Sequence, residues 1–93
     1  MNIHFPEDTP LYNACELRLG FPVDVDGQRL TCYVSAEALE DHFGARSPSE
    51  DHLMRSFALH RRTIQAAAER ALRKLDGTAV VLNSGYFRFY LPR

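Results

Sequence analysis

An alternating stretch of apolar and polar residues constrains the fold of this chain more than any other feature. From Cys15 to Val25 every odd-numbered residue is apolar, and charged residues, a glycine and a proline fill the even positions. Successive side chains of a β-strand point to opposite faces, so this pattern predicts a strand with one buried face. The pair Asp26-Gly27 follows directly, and it favours a type I′ turn, which needs positive φ at both positions. We therefore expect a β-hairpin.

The turn also sets the register of this hairpin. It places Phe21 opposite Cys32 on the buried face. The opposite face then holds Arg29, Thr31 and Tyr33. Pro22 has no N–H, and its nitrogen points away from the second strand, which predicts a locally unpaired edge there.

Two helical segments follow the hairpin. A short helix is predicted over residues 36–43, because Ser35 is a preferred N-cap residue and a glycine follows the stretch. A second helix begins with the run Ser47-Pro48-Ser49-Glu50, in which an N-cap serine, a proline at the first helical position and a glutamate form the capping-box pattern. No glycine or proline follows until residue 77, so one helix can span residues 48–75.

The length of this second helix predicts self-association. An unbroken helix over residues 48–75 would be about 42 Å long, whereas a domain of this size is about 32 Å across, so the helix bends or projects. Projection would expose an apolar stripe formed by Leu53, Phe57, Ile64, Ala68, Ala71 and Leu75. A second copy of the chain is the simplest cover, and the small Ala66, Ala67, Ala68 and Ala71 allow close approach. We therefore expect a homodimer.

The two ends of the chain complete the predicted sheet. Residues 1–5 predict an N-terminal strand, and residues 78–82 and 86–91 predict a second hairpin around Ser84-Gly85. The fold class is α+β. Residues 1–93 form a single domain with an antiparallel sheet of two hairpins plus an N-terminal strand, and one short and one long helix pack on one face.

Composition excludes several function classes. The chain has 93 residues, 45% of them hydrophobic and 25% charged, and a formal net charge of -1. This balance predicts an ordinary globular protein without bulk attraction to nucleic acid or anionic membranes. No apolar run approaches the ~20 residues of a membrane span, and no leader pattern opens the chain. We expect a cytoplasmic protein.

Catalytic and metal signatures are missing from the sequence. Cys15 and Cys32 both fall on the predicted core face, where a thiol is an inert small apolar group, and their positions are too far apart for a disulfide. His4, His42, His52 and His60 show no metal-ligand spacing. We expect no metal, no cofactor and no enzymatic activity.

Arg61 is the most unusual residue of the long helix. At 100° per residue it falls inside the apolar stripe, with His60 at the stripe's edge. The structural interpretation is that its stem lies along apolar surface or that its guanidinium pairs with Glu37 or Asp41. The alternative is an anion or partner site that uses Arg61 with His60 beside it.

Two surfaces could bind a partner. The first, which we call the arginine stripe, comprises Arg55, Arg62 and Arg73, with Arg70 and Lys74 nearby; basic residues near a helix C-terminus also simply complement the helix dipole. The second is the outer sheet face, where the predicted register gathers Tyr33, Tyr86, Tyr90, Arg18, Arg29 and Arg88. Such a mixture can stack nucleic-acid bases, but it is also typical of an exposed sheet face.

Several short motifs are spread along most of the chain. They are Ile3-x-Phe5-Pro6, Phe21-Pro22, Asp26-Gly27, Cys32-x-Val34-Ser35-x-Glu37-Ala38-Leu39-x-Asp41 and the spacing of Phe57, Arg61, Ile64 and Ala68. On these residues the chain resembles a bacterial family of uncharacterised proteins, domain-of-unknown-function family 1488. The resemblance covers nearly the whole chain, although the end from Tyr86 to Tyr90 matches nothing in it. The family implies no activity, substrate or cofactor.

The leading hypothesis is therefore a small non-enzymatic interaction or regulatory module that acts as a homodimer, with its protein partner unidentified. The alternative is a nucleic-acid or anion binder that uses the arginine stripe or the Tyr/Arg sheet face; we rank nucleic acid below protein as a partner.

Overall fold

The computed structural model describes residues 1–75 and 80–90, without the side chains of residues 89 and 90. The strands are β1 (Ile3–His4), β2 (Leu11–Asn13), β3 (Arg18–Val25), β4 (Gln28–Ser35) and β5 (Val81–Leu82). The helices are α1 (Ala36–His42), α2 (Glu50–Leu59), α3 (Arg61–Lys74) and α4 (Ser84–Tyr90). The fold class is α+β, as the sequence predicts.

The β3–β4 hairpin confirms the predicted turn and register. Asp26 and Gly27 both have positive φ, 51° and 84°, and Phe21 lies opposite Cys32. The short strands β1 and β2 both pair with the other edge of β3, β1 beside its last two residues and β2 beside its first three. Pro22 lies in the gap between them, where no strand of the described residues pairs with this edge of β3.

The second hairpin is a wrong prediction. Val81 and Leu82 form β5, which pairs with β4 in parallel, so the sheet is mixed. Ser84 is the first residue of α4 and does not lie in a hairpin turn. The physical reason is tertiary: Phe87 is buried against Phe43, their rings 5.0 Å apart and edge to face, and the side chain of Asn83 accepts the N–H of Tyr86 at 2.9 Å. Residues 78, 79 and 91 of the predicted hairpin lie outside the described residues.

The helix starts differ in how well the sequence predicts them. The hydroxyl of Ser35 accepts the N–H of Ala38 at 3.0 Å, which confirms the predicted cap of α1. The predicted start of the second helix is two residues early, because α2 begins at Glu50. The Ser47 hydroxyl accepts the N–H of Ser49 at 3.2 Å and lies 2.7 Å from Nδ1 of His52, instead of accepting the N–H of Glu50 as in a capping box.

The long helix is broken at His60, so neither an unbroken helix nor a projecting one forms. His60 has φ −119°, which separates α2 from α3, and its ring packs 5.2 Å from that of Phe43. The molecule then measures 35 Å along its longest axis. Five members of the apolar stripe are buried inside the chain: Leu53, Phe57, Ile64, Ala68 and Ala71. Ala67 is also buried, whereas Leu75 is 53% exposed and Ala66 is exposed. Most of the apolar face behind the predicted dimer is therefore covered within the described residues, and the homodimer itself stays a prediction.

One face of the sheet forms the core. Phe21 and Phe57 are at most 1% exposed, and their rings lie 5.2 Å apart where α2 crosses β3. Cys32 is fully buried on the same face, as predicted. Cys15 is exposed, and its predicted place in the core is wrong. The strand begins only at Arg18, because residues 14–17 form a turn in which Leu17 has φ 50°.

Candidate functional site

The outer face of the sheet carries an apolar row that crosses the strands. The backbone registers place Leu11 beside Gly20, Gly20 beside Tyr33, and Tyr33 beside Val81. Leu11 is 78% exposed and Val81 50% exposed. The solvated face of a sheet usually carries polar residues, so an exposed apolar band on that face is typical of a binding surface.

Gly20 lets Tyr33 lie flat in this row. A Cβ atom on Gly20 would come within 3.1 Å of the Tyr33 ring and 3.2 Å of the Thr31 methyl group. The guanidinium of Arg18 lies over the Tyr33 ring, 3.8 Å from the ring centroid. The tyrosine is thus held in one orientation as part of a preformed surface.

A groove of about 750 Å³ runs over this outer face. Its floor includes Gly20, Thr31 and Tyr33, and its wall is the segment from Asp8 to Cys15. Known ligand pockets have volumes of ~300–1,000 Å³. The groove is therefore large enough to hold a short stretch of peptide or a small molecule, and we call it the outer groove.

The arginines of the outer face are paired with carboxylates. Arg18 lies 3.1 Å from Glu16, and Nε of Arg29 donates to Asp24 while Asp8 lies 3.7 Å away. The hydrogen bond to Asp24 raises the pKa of Arg29 above its ordinary value. Because each positive charge here has a carboxylate beside it, the outer groove has little attraction for phosphate groups.

The predicted gathering of tyrosines and arginines on this face is only partly present. Tyr33 shares it with Arg18 and Arg29, but Tyr86 and Arg88 belong to α4, and their predicted place on the sheet is wrong. The Tyr86 hydroxyl donates to the carbonyl of Ala67 in α3, at 3.1 Å. The backbone of Tyr90 also belongs to α4, so its predicted strand position is wrong too.

Arg61 fastens the N-terminal segment to the helices. Its guanidinium donates to the carbonyls of Pro6 at 3.2 Å and Asp8 at 2.6 Å, and it lies 5.3 Å from the centre of the Phe57 ring. The predicted carboxylate partners Glu37 and Asp41 are wrong. The structural interpretation holds with carbonyl partners in their place, and Arg61 thereby positions the wall of the outer groove.

The arginine stripe does not form one line, because the break at His60 separates Arg55 on α2 from Arg62 and Arg73 on α3. Arg73 is committed to other contacts. It donates to Glu69 at 3.3 Å and to the carbonyl of Met1 at 3.2 Å. Arg55 and Arg62 border separate clefts.

A cluster of Ser84, Asp41 and His42, missed by the sequence reasoning, resembles a catalytic set in composition only. The Ser84 hydroxyl donates to Asp41 at 2.6 Å, and Nε2 of His42 lies 3.2 Å from that hydroxyl and 3.1 Å from the Ser84 carbonyl oxygen. A nucleophilic serine gives its proton to histidine, which a carboxylate orients. Here the carboxylate takes the serine proton, so the cluster fastens α4 to α1. No local signal could reveal it, since its members lie 42 and 43 residues apart.

The two thiols differ in environment. Burial raises the pKa of the Cys32 thiol to about 11, so it stays protonated and unreactive at neutral pH. Cys15 borders the outer groove in the exposed turn before β3. Within residues 1–75 and 80–90, no three histidine, cysteine or carboxylate residues are grouped as a metal site. No helix in the same part of the chain is long and apolar enough to cross a membrane.

Comparison with known proteins adds one finding. No curated protein and no solved structure matches the chain significantly. The model of one family, described as a protein of unknown function, matches residues 3–82. This match takes in every described strand and the helices α1 to α3, and it ends before α4. The resemblance noted in the sequence is thereby confirmed: the chain belongs to the DUF1488 family of proteins of unknown function.

Proposed function

We propose that this protein is a non-enzymatic interaction module that binds an extended segment of a partner protein in its outer groove. The observation that carries the proposal is the groove itself, a space of about 750 Å³ over an exposed apolar row. A segment with an apolar or aromatic side chain would cover Leu11 and contact the part of the Tyr33 side chain that lines the groove. Such contacts supply most of the energy of peptide recognition.

The charges around the groove favour a protein segment over a nucleic acid. Arg18 and Arg29 border the apolar row, and both are neutralised by nearby carboxylates. An apolar centre with a polar, charge-balanced rim is the usual arrangement of a protein interface. Nucleic-acid grooves instead carry an excess of unpaired basic residues.

The hydrogen bonding of the Ser84 cluster supports a function without catalysis, because the Ser84 hydroxyl donates its proton to Asp41 and not to a histidine. The cluster is also remote from the outer groove, since none of its three residues lines it. Ser84 is only 5% exposed, which leaves little room for a substrate.

In-cell photo-crosslinking tests the proposal. A benzoylphenylalanine residue is placed at exposed Thr31 in the groove, and a matched control carries it at exposed Glu40 on α1. We expect a discrete crosslinked product from position 31 only, and we expect Leu11→Asp to abolish it. A product of twice the chain mass would identify the partner as a second copy and support the predicted homodimer. Equal crosslinking from both positions, or none from position 31, would refute the proposal.

A further inference from the structure

A second surface lies at the break between α2 and α3, on the helical side of the molecule. Its centre is Leu59, the last residue of α2, which is 75% exposed. Leu59 borders two clefts, one of about 390 Å³ shared with Arg62 and Glu7 and one of about 310 Å³ shared with Arg46 and Arg55. The leucine is thus an apolar ridge between two basic clefts, and we call this the bend surface.

The bend surface carries three arginines that no carboxylate of the described residues pairs with. Within the described residues, Arg46, Arg55 and Arg62 take part in no ion pair or hydrogen bond. Elsewhere Arg18 pairs with Glu16, Arg73 pairs with Glu69, and Arg61 donates to backbone carbonyls. Together the linings of the two clefts contain a single carboxylate, that of Glu7. Three arginines without a described partner therefore lie around one bend of a chain whose net charge is -1.

We propose that the bend surface docks an acidic segment of a partner protein, with carboxylates in the two clefts and an apolar side chain against Leu59. The guanidinium group pairs with carboxylates through two parallel hydrogen bonds, so three unpaired arginines match a segment rich in Asp and Glu. Charge complementarity of this kind fixes orientation and speeds association.

The exposed Leu59 favours an acidic peptide over a nucleic acid as the ligand of the bend surface. A phosphate backbone gains nothing from an apolar ridge that is 75% exposed, and base stacking needs an exposed aromatic ring. The rings that line the two clefts have partners within the chain: His60 packs against Phe43 at 5.2 Å, Phe5 lies 6.3 Å from Phe21, and His52 is bonded to Ser47. An amphipathic acidic segment uses both the charge and the ridge.

The bend surface shares no lining residue with the outer groove. The two surfaces can therefore be occupied at the same time, and the protein would join two partners. This goes beyond the proposed function, because each surface can fail without the other.

The test uses a displayed library of random twelve-residue peptides, panned on the wild-type protein at low salt. We expect enriched peptides to combine several Asp or Glu residues with an apolar residue, and to bind about tenfold or more weakly to the variant Arg55→Glu/Arg62→Glu, a change of about 1.4 kcal/mol. Affinity should also fall as salt rises, since exposed charges are screened. Leu59→Ser should weaken binding several-fold while leaving every charge in place.

The variant Leu11→Asp, which alters only the outer groove, is the matched control and should bind these peptides normally. All substituted positions are exposed, and unchanged circular dichroism would confirm folding. Enriched peptides without acidic bias, equal binding to the Arg55→Glu/Arg62→Glu variant, or tighter binding of a twelve-nucleotide single strand at the same surface would each overturn the proposal.

Discussion

Replacing Arg61 by methionine should destabilise the protein by about 1.5 kcal/mol. The guanidinium makes two hydrogen bonds, to the carbonyls of Pro6 and Asp8, and a hydrogen bond from a charged group contributes about 1.5–3 kcal/mol when buried. The Asp8 end is exposed, so water replaces part of this contribution in the variant. Methionine keeps the apolar stem beside Phe57, which limits the loss to the polar contacts.

Urea unfolding followed by circular dichroism measures this change directly. For a domain of this size, about 1.5 kcal/mol corresponds to a melting temperature lower by about 6–12 °C. The matched control is Arg62→Met at the next position of α3, where the side chain is exposed, and its effect should stay within about 0.5 kcal/mol.

Hydrogen exchange gives a second, local readout. The N–H of Asp26 donates to the carbonyl of Asn2 at 2.8 Å, so its protection reports the docking of the N-terminal segment. This N–H should exchange faster in Arg61→Met than in the wild type, and its exchange rate should be unchanged in Arg62→Met. Equal stabilities of the two variants, together with unchanged exchange at Asp26, would refute the structural role. A variant of full stability that has lost a ligand would show that Arg61 binds that ligand directly.

The remaining predictions concern the two thiols and α4. Burial raises the pKa of Cys32 from its usual 9.0 to about 11, so the folded state keeps a proton that the unfolded chain loses. This stability is fully present below pH 9 and should fall by up to about 3 kcal/mol as the pH rises through 11; parallel pH curves for wild type and Cys32→Val would contradict it. The exposed Cys15 should react with a thiol reagent in the native state, whereas Cys32 should react only after unfolding. Rapid reaction of both thiols in the native state would be inconsistent with the fold. Phe87 is 1% exposed, so Phe87→Ala should lower the free energy of unfolding by about 3–5 kcal/mol, measured by thermal unfolding. The control Arg88→Ala should leave the stability nearly unchanged. Equal small effects of the two substitutions would mean that α4 is not packed.

The hairpin was predictable because its information is local. Alternation fixes which face is buried, and Asp26 and Gly27 are the residue types that the turn requires, so one register satisfies both. The same alternation was extended too far at Cys15. A turn with positive φ at Leu17 interrupts the strand, and leucine gives no local sign of that conformation.

The break at His60 and the helix α4 were not predictable from local sequence, because contacts between distant residues impose them. His60 leaves the helical conformation where its ring packs on Phe43, and no glycine or proline marks the position. Ser84-Gly85 has the composition of a turn, yet Ser84 bonds to Asp41 far along the chain. The groove likewise depends on the path of residues 5–10, which the carbonyl contacts of Arg61 determine.

Pro22 affects how readily separate molecules of this protein could aggregate through their sheet edges. It occupies the stretch of β3 where neither β1 nor β2 pairs, and this stretch is an open edge beside the most apolar hairpin of the molecule. Open edges are where strands of other molecules add and fibres begin. Proline offers no N–H to an incoming strand, so growth of a continuous intermolecular sheet stops at this residue. Within the described residues, the outer side of β4 has no strand partner from Gln28 to Thr31, so strand addition to this sheet is blocked at Pro22 and confined to the opposite edge.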